Sequence, residues 1–427
     1  MSTPTARSTH RHARASASTL TMLLWKSSGS SVDQAASQLP LGRRHRNWNG
    51  RRKQMMYMRN WLAAAGITAL SALASGASAE DGKPGEELVV YTGTGIPTDF
   101  ADALVAPFSM HMQEKYGVPV HVRTVPGAIP TVWAQLQTEW PNPSGDVYWL
   151  YNQNIRAGID LGYWLPLQDK FTREEWASFD QGAMKTLNTR GYSAPIEISA
   201  WVLVVQNSLP DGAVTSVGDF AKTEFAHRIT FDSALSVGSG YNAIAAAAAI
   251  RGDDWHTWFQ NGQFNEEAAR PAFELVGKWA ANALTLTQGS GSIRPLLRRG
   301  ESLISAWWWH NAVEELRAGT AVHIVEPKEG VVALVQSGPV ISSKTKNPIA
   351  AVEWAKFVHS AEANAIAQKV GYLNKLPRAG ESASPQWQEF SSKAKLLWVD
   401  EFRDAMLDPA YNEKVLDLYN RVVIQGQ

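Results

Sequence analysis

Short apolar runs and helix-periodic segments alternate over the first half of the chain's main body. Three apolar runs bounded by turn residues, at 87–91, 118–122 and 146–150, predict buried strands. Between them, apolar residues recur at helical spacing over 99–116 and 129–139. Strands that alternate with helices predict α/β layers built on a mostly parallel sheet.

The pattern changes in the second half of the chain. Further strands are predicted at 198–205, 228–231, 303–306, 322–325 and 331–335. An alanine-rich helix is predicted at 241–250. From Pro348, a residue suited to the first turn of a helix, the chain is predicted to be mainly helical.

The N-terminal region has the pattern of an export signal. Basic residues at 51–59 precede an apolar stretch at 61–73, which is too short to span a bilayer, and a small-x-small site follows at 77–79. We therefore predict a cleaved signal peptide at 55–79 and a periplasmic location for the mature chain. Residues 1–54 are rich in Ser, Thr, Arg and His and are predicted to be a disordered or untranslated extension. A buried alanine-rich helix behind a disordered tail is the alternative.

The balanced overall charge hides an acidic body. Residues 1–79 hold 11 of the 40 Lys and Arg residues and one of the 40 Asp and Glu residues, so 29 basic and 39 acidic residues remain, a net charge of about −10. Binding to nucleic acid phosphates needs clustered basic residues, so nucleic acid is not expected as a partner.

Composition and motifs also argue against catalysis. The chain has no cysteine, which excludes disulfides, thiolate metal sites and cysteine nucleophiles. It has no H-E-x-x-H, G-x-S-x-G or P-loop motif. We therefore assign no catalytic residue, metal ligand or cofactor and expect a binding protein rather than an enzyme. A secreted hydrolase is the alternative from another class.

Polar residues at strand ends are the first candidates for ligand binding. Open α/β sheets bind ligands beyond the carboxyl ends of their strands. Thr92 and Thr94 follow the first predicted strand, and Tyr151 and Asn152 follow the third. Ordinary turns between strand and helix are the alternative for both segments.

A glycine-rich segment lies between a predicted strand and the alanine-rich helix. Residues 238–243 fit G-x-G-x-x-A, formally a dinucleotide fingerprint, but the acid expected about twenty residues later at a strand end is missing. The same geometry can direct free N–H groups toward an anionic group. We therefore predict that Ser239, Gly240 and Tyr241 contact ligand, with a plain helix cap as the alternative.

Three adjacent tryptophans end another predicted strand, and all three cannot face one core. Trp307 and Trp308 are candidates for stacking or cation–π contact with an organic cation, and Asn311 follows them. Such a cation needs a carboxylate, for which Glu197 is the first candidate, followed by Asp232 and Glu326. Core packing of the tryptophans and surface or hinge roles of the acids are the alternatives.

Several segments, in a shared order, resemble the extracellular solute-binding proteins of ABC importers, in the branch that binds polyamines, ferric iron, thiamine or aminoethylphosphonate. The matching segments are 89–92, 133–136 with 142–147, 162–167, 231–234 with 239–241, 326–330, 346–351 and 371–377. The resemblance implies a type II periplasmic binding protein fold with two α/β lobes, each a mixed sheet flanked by helices, and a ligand cleft at the hinge. Lobe 1 would comprise 86–196 with part of 326–427, lobe 2 would comprise 197–325, and 326–427 would hold the return crossover and C-terminal helices.

The resemblance implies capture of a small solute and its delivery to ABC permease subunits by a monomer. We expect an organic cation or zwitterion, polyamine-like or aminoethylphosphonate-like, with Ser239–Tyr241 suited to an anionic end and Trp308 to an amino end. A ferric-iron binder is the alternative within the family. Trp307 and Trp308 occupy the position of its iron-ligating tyrosine pair, however, and indole has no phenolate oxygen. His310 and Asn311 replace the acid usual in polyamine binders. Delivery to a chemoreceptor is a third function.

Overall fold

The computed structural model describes residues 82–235, 238–408 and 410–427, so the predicted extension (1–54) and signal peptide (55–79) lie outside the described residues. The strands are β1 Glu87–Thr92, β2 His121–Pro126, β3 Val147–Tyr148, β4 Pro195–Gln206, β5 Ile229–Asp232, β6 Phe259–Gln260, β7 Gln263–Phe264, β8 Ala283–Thr287, β9 Ile304–Trp308, β10 Val322–Val325, β11 Val331–Ser337, β12 Val340–Ile341 and β13 Leu396–Trp398. The α-helices are α1 Ile96–Tyr116, α2 Ile129–Glu139, α3 Asn152–Asp160, α4 Arg173–Ala177, α5 Gln181–Leu187, α6 Tyr241–Arg251, α7 Glu266–Ala281, α8 Ile293–Arg298, α9 Trp309–Arg317, α10 Pro348–Val358, α11 Ala361–Val370, α12 Pro385–Lys393, α13 Asp400–Leu407 and α14 Asn412–Tyr419. In this part of the chain, no helix has the length and apolarity that a membrane span requires.

The first lobe is built on a four-stranded sheet in the order β12-β3-β1-β2. β1 is central and parallel to both β2 and β3, while β12 is antiparallel to β3. Leu88 and Val90 on β1 pack with Phe100 and Leu104 of α1, and all four side chains are fully buried. Helices α10 and α11 add to the same core, so this lobe includes a segment from late in the sequence.

The second lobe is built on a larger sheet in the order β13-β11-β4-β9-β5-β8, with β10 also paired to β4. β4 is antiparallel to β9, β10 and β11, while β5 is parallel to β8 and β9, so the sheet is mixed, as the resemblance implies. Along β4, Trp201 and Leu203 face one core while Val202 and Val204 face another. Side chains alternate across a strand, and helices cover both faces, so the continuous apolar run of β4 is explained by burial on both sides.

The chain passes between the lobes at three places. β4 starts in the first core at Ile196 and enters the second by Trp201. β11 belongs to the large sheet and the next strand, β12, to the small one. Tyr372 packs in the first core, and the neighbouring Leu373 packs in the second lobe. Helices α13 and α14 then complete the second core.

Most strands and helices lie where the sequence pattern predicts them. α2 and β10 have the predicted bounds. β2 begins at His121 instead of at 118, because α1 continues to Tyr116 and ends on Gly117, whose left-handed backbone (φ 71°) turns the chain toward the sheet. His121 then pairs in register with Glu87.

Candidate ligand-binding cleft

A cleft of about 540 Å³ lies between the two lobes. It is lined almost entirely by junctions between strands and helices, which is where polar backbone and side-chain groups of α/β sheets gather. The lining residues from the first lobe fall at 93–97, 127–131 and 149–151. Those from the second lobe and the crossovers include Glu197, Ser199, Ser239, 288–289, Gly291, Arg294, 307–308, 310–311, 336–337, Tyr372 and Arg403.

Five helices begin at this cleft without a side-chain cap. The N-cap residues of α1, α2, α3, α6 and α9 are Gly95, Ala128, Tyr151, Gly240 and Trp308, and none of them makes a side-chain capping hydrogen bond. α4, α5, α7, α10, α11 and α12 begin away from the cleft and have such caps, whereas α8, α13 and α14 also lack them. Helix N-termini carry partial positive charge, so the cleft favours anionic groups.

The candidates from the first lobe divide into lining and supporting residues. Thr94 and Tyr151 line the cleft. Thr92 is fully buried, and its hydroxyl lies 2.9 Å from that of Thr98 in α1. Asn152 hydrogen-bonds the backbone of β11 through its side-chain amide. Thr92 and Asn152 therefore hold the cleft walls in place instead of facing the cavity.

The glycine-rich segment also places one candidate in the cleft and others behind it. Ser239 lines the cleft and donates its hydroxyl to the buried Asp232 at 2.5 Å; Thr287 donates to the same carboxylate at 2.6 Å. Gly240 is buried, and Tyr241 packs in the core of the second lobe. Asp232 therefore orients the lining serine from below the surface.

The three tryptophans point in different directions. Trp307 is 1% exposed, and the Arg294 guanidinium carbon lies 5.7 Å from its ring centroid. Trp309 packs against Trp387, with centroids 5.0 Å apart. Trp308 is half-buried and lines the cleft, as does Asn311. Among the three, Trp308 has the most ring surface available to a ligand.

Glu197 is the single carboxylate among the described residues that line the cleft. It is 6% exposed, accepts a hydrogen bond from Ser199 and another from the Asn374 amide at 3.3 Å. Burial, with the Glu197 carboxylate nearby, holds the pKa of Tyr372 well above its usual value. Burial lowers the pKa of His310, although Glu197 acts in the opposite direction, so this imidazole is neutral at pH 7.

Among the lining residues that the sequence did not single out are two arginines, Arg294 and Arg403. Arg294 is held in ion pairs by Glu314 at 2.5 Å and by Glu315 at 2.8 Å. Arg403 comes from α13, far along the chain from the other lining residues. No local pattern distinguishes its position from other arginines on amphipathic helices, so only the tertiary structure identifies it.

A buried acid, Asp400, lies beside the cleft in the same helix as Arg403. Its Oδ1 accepts the Val335 N–H at 2.9 Å, while Oδ2 is buried without a partner. Burial raises the pKa of Asp400 to about 8 from an ordinary value of 3.8. The carboxyl is therefore protonated and uncharged in the folded protein at neutral pH.

We expect the Asp400→Asn variant to lose the part of the pH dependence of stability that Asp400 contributes. Since folding raises the pKa, this contribution is full below the unfolded pKa of Asp400 and is lost as the pH rises toward 8. The free energy of unfolding of the wild type should fall relative to Asp400→Asn by at most about 1.4 kcal/mol per pH unit between those limits. Urea unfolding of both proteins from pH 5 to 8 measures the difference; a constant difference would contradict the raised pKa.

Comparisons with known proteins identify a matching family and structures with a similar fold. A family model described as bacterial extracellular solute-binding protein matches residues 103–394. The chain is similar to AfuA from Actinobacillus pleuropneumoniae, solved with exogenous fructose-6-phosphate bound (19% identity, TM-score 0.56, 79% of this chain and 98% of that chain). It is also similar to the spermidine/putrescine ABC transporter substrate-binding protein PotD from Streptococcus pneumoniae (15% identity, TM-score 0.59, 80% of this chain and 100% of that chain). A third similar structure is iron-bound HitA from Pseudomonas aeruginosa (18% identity, TM-score 0.55, 79% of this chain and 99% of that chain).

A search of curated protein sequences finds no significant match. The structural likenesses confirm the predicted type II periplasmic binding protein fold, with two mixed sheets flanked by helices. At these identities they show the fold alone, so the nature of the ligand has to be argued from the cleft.

Proposed function

The chain belongs to the bacterial extracellular solute-binding proteins, and we propose that it is the substrate-binding component of an ABC importer, which captures a small zwitterionic organic solute outside the inner membrane and delivers it to a membrane permease. Membership in this family makes it a solute-binding protein rather than an enzyme. The proposal includes export of the chain and closure of the two lobes on the solute, a common motion of such architectures.

The charge of the cleft lining is the observation that carries the choice of ligand. The described lining residues hold one carboxylate, Glu197, and two guanidinium groups, Arg294 and Arg403. The five uncapped helix N-termini add positive potential. An amino end of the solute fits between Glu197 and the half-buried Trp308, because a carboxylate and an indole face both attract an organic cation. An anionic end fits the helix N-termini, where backbone N–H groups such as those at the start of α6 are not capped by a side chain.

The same charges disfavour the other ligands expected from the sequence. A polyamine carries two or more positive charges and would meet one carboxylate, the guanidinium of Arg403 and a second guanidinium, Arg294, whose charge is balanced by Glu314 and Glu315. Ferric iron carries three positive charges, and Trp307 and Trp308 offer it no oxygen ligand. The zwitterion is therefore favoured over the simple cation and over ferric iron.

We expect a zwitterionic or phosphate-bearing solute to stabilise the protein and to compact it. A thermal-shift panel would contain 2-aminoethylphosphonate, fructose-6-phosphate, thiamine, putrescine and ferric iron. A solute present at a hundred times its Kd stabilises the native state by about 2.7 kcal/mol, which raises the melting temperature. Small-angle scattering with the solute that gives the largest shift should show a smaller radius of gyration.

Three results would contradict the proposal. A shift with ferric iron alone would identify the alternative member of the same family. An unchanged radius of gyration at saturating solute would rule out lobe closure. Calorimetry should also show one solute bound per chain, with the solute recovered chemically unchanged, since turnover would indicate an enzyme.

A further inference from the structure

The guanidinium of Arg403 is buried at the cleft without a partner. Its side chain is 6% exposed, and its Nε is buried with no hydrogen-bond partner. Neither a side-chain hydrogen bond nor an ion pair within 4.0 Å links Arg403 to any other residue of the described ranges. Leaving a buried charge unpaired costs a protein several kcal/mol. A retained charge of this kind therefore indicates a partner outside the described residues, and its position at the cleft makes a bound ligand the candidate.

The surroundings of Arg403 leave its guanidinium facing the start of α6. A Cβ atom built on Gly238 would lie 2.5 Å from Nη2 of Arg403 and 3.8 Å from Cε2 of Tyr151. The absence of a side chain at Gly238 therefore makes room for the guanidinium directly before the N-terminus of α6. Tyr151 from the first lobe and Ser239 from the second lobe also line the cleft, so side chains of both lobes meet near this guanidinium donor.

Asp400 and Asp404 attract Arg403 electrostatically, but among the described residues no acid forms an ion pair with it. Asp400 is protonated at neutral pH because its burial raises its pKa to about 8. Asp404 forms an ion pair with Arg156 of α3, across the lobe boundary. Asp232 accepts the hydroxyls of Ser239 and Thr287 and does not form an ion pair with Arg403. The positive charge at this end of the cleft is thus left for a ligand.

We propose that Arg403 is the anion-binding residue of the cleft, where its guanidinium and the N-terminus of α6 hold a terminal oxyanion group of the solute, phosphoryl or carboxylate. The inference rests on the proposed function, since it assigns one end of the captured solute. A planar guanidinium can bind two oxygens of such a group at once. It therefore selects the group by the arrangement of its oxygens as well as by its negative charge. Glu197 and Trp308, which also line the cleft, are left for the amino group.

The test compares Arg403→Met with Arg299→Met, which removes the same charge from the protein surface, where Arg299 is paired with Glu301. Calorimetric titrations use 2-aminoethylphosphonate, β-alanine and inorganic phosphate. We expect the wild type to bind at least one of them and Arg403→Met to bind it about tenfold to a hundredfold more weakly, the loss expected for a charged hydrogen bond. The first two probes distinguish a phosphoryl from a carboxylate group. Arg299→Met should match the wild type.

Stability without ligand separates a binding role from a structural one. Removal of an unpaired buried charge should raise the melting temperature of ligand-free Arg403→Met by about 2 °C or more. Arg403→Lys keeps the charge but loses the planar fork, so it should bind the probes more weakly without this gain. The proposal is overturned if Arg403→Met melts below the wild type and keeps its affinity for the probes. The Arg403 proposal is also overturned if the wild type binds none of the three probes at millimolar concentration. In that case, closure of the lobes on another solute would still support the proposed function.

Discussion

The Trp308→Ala variant is expected to bind its solute about thirtyfold more weakly than the wild type, because a buried cation–π contact contributes roughly 2 kcal/mol. Trp308 is the half-buried member of the tryptophan triplet and lines the cleft at the N-terminus of α9. Its loss removes the aromatic face offered to the amino end and leaves the buried Glu197 carboxylate in place. Calorimetric titration with the solute identified in the panel measures the change.

The neighbouring tryptophans supply the controls. Trp309→Phe should reduce stability, since Trp309 packs against Trp387 and Phe390, and should leave the affinity unchanged because Trp309 does not line the cleft. Trp307→Ala should act mainly on stability, since that ring is buried and already contacts Arg294. Unchanged affinity in both Trp307→Ala and Trp308→Ala would overturn this assignment of the amino end.

The Gly240→Ala variant is expected to destabilise the second lobe by about 3 kcal/mol, at the upper end of the usual cost of overpacking. A Cβ atom at Gly240 would lie 2.0 Å from the backbone nitrogen of Ala234 and 2.2 Å from the carbonyl carbon of Ser233. Backbone atoms cannot rotate aside as a side chain can, so the start of α6 has to shift. Ser239 would move with it, and solute affinity should fall as well.

Gly291→Ala is the matched control for stability, because a Cβ atom there meets nothing within 4 Å. Its free energy of unfolding should stay within about 0.5 kcal/mol of the wild type, as for substitutions that create no clash. Urea unfolding of both variants gives the comparison. Equal stabilities of Gly240→Ala and Gly291→Ala would show that the α6 junction tolerates a side chain and that Gly240 is not required for packing.

The alternation of apolar runs and helical periods was enough to predict the order of strands and helices, because both depend on local spacing along the chain. α2 and β10 lie at their predicted positions. The sequence also indicated the glycine-rich junction before α6 and the tryptophan triplet as features of the site. Ligands of α/β sheets bind beyond the carboxyl ends of strands, so Thr94, Tyr151 and Ser239 could be named as candidate cleft residues from the sequence alone.

Only the tertiary structure decided which of these residues face the cavity. Trp307, Trp308 and Trp309 are chemically equivalent in sequence, and their different burial depends on the cores and the arginine packed around them. Thr92 and Asn152 follow strands as Thr94 and Tyr151 do, but their side chains bond to neighbouring segments. Arg403 enters the cleft because α13 completes the second lobe from the far end of the chain. Periodicity determines which face of an element is apolar, whereas contacts between segments distant in sequence form only when the lobes assemble.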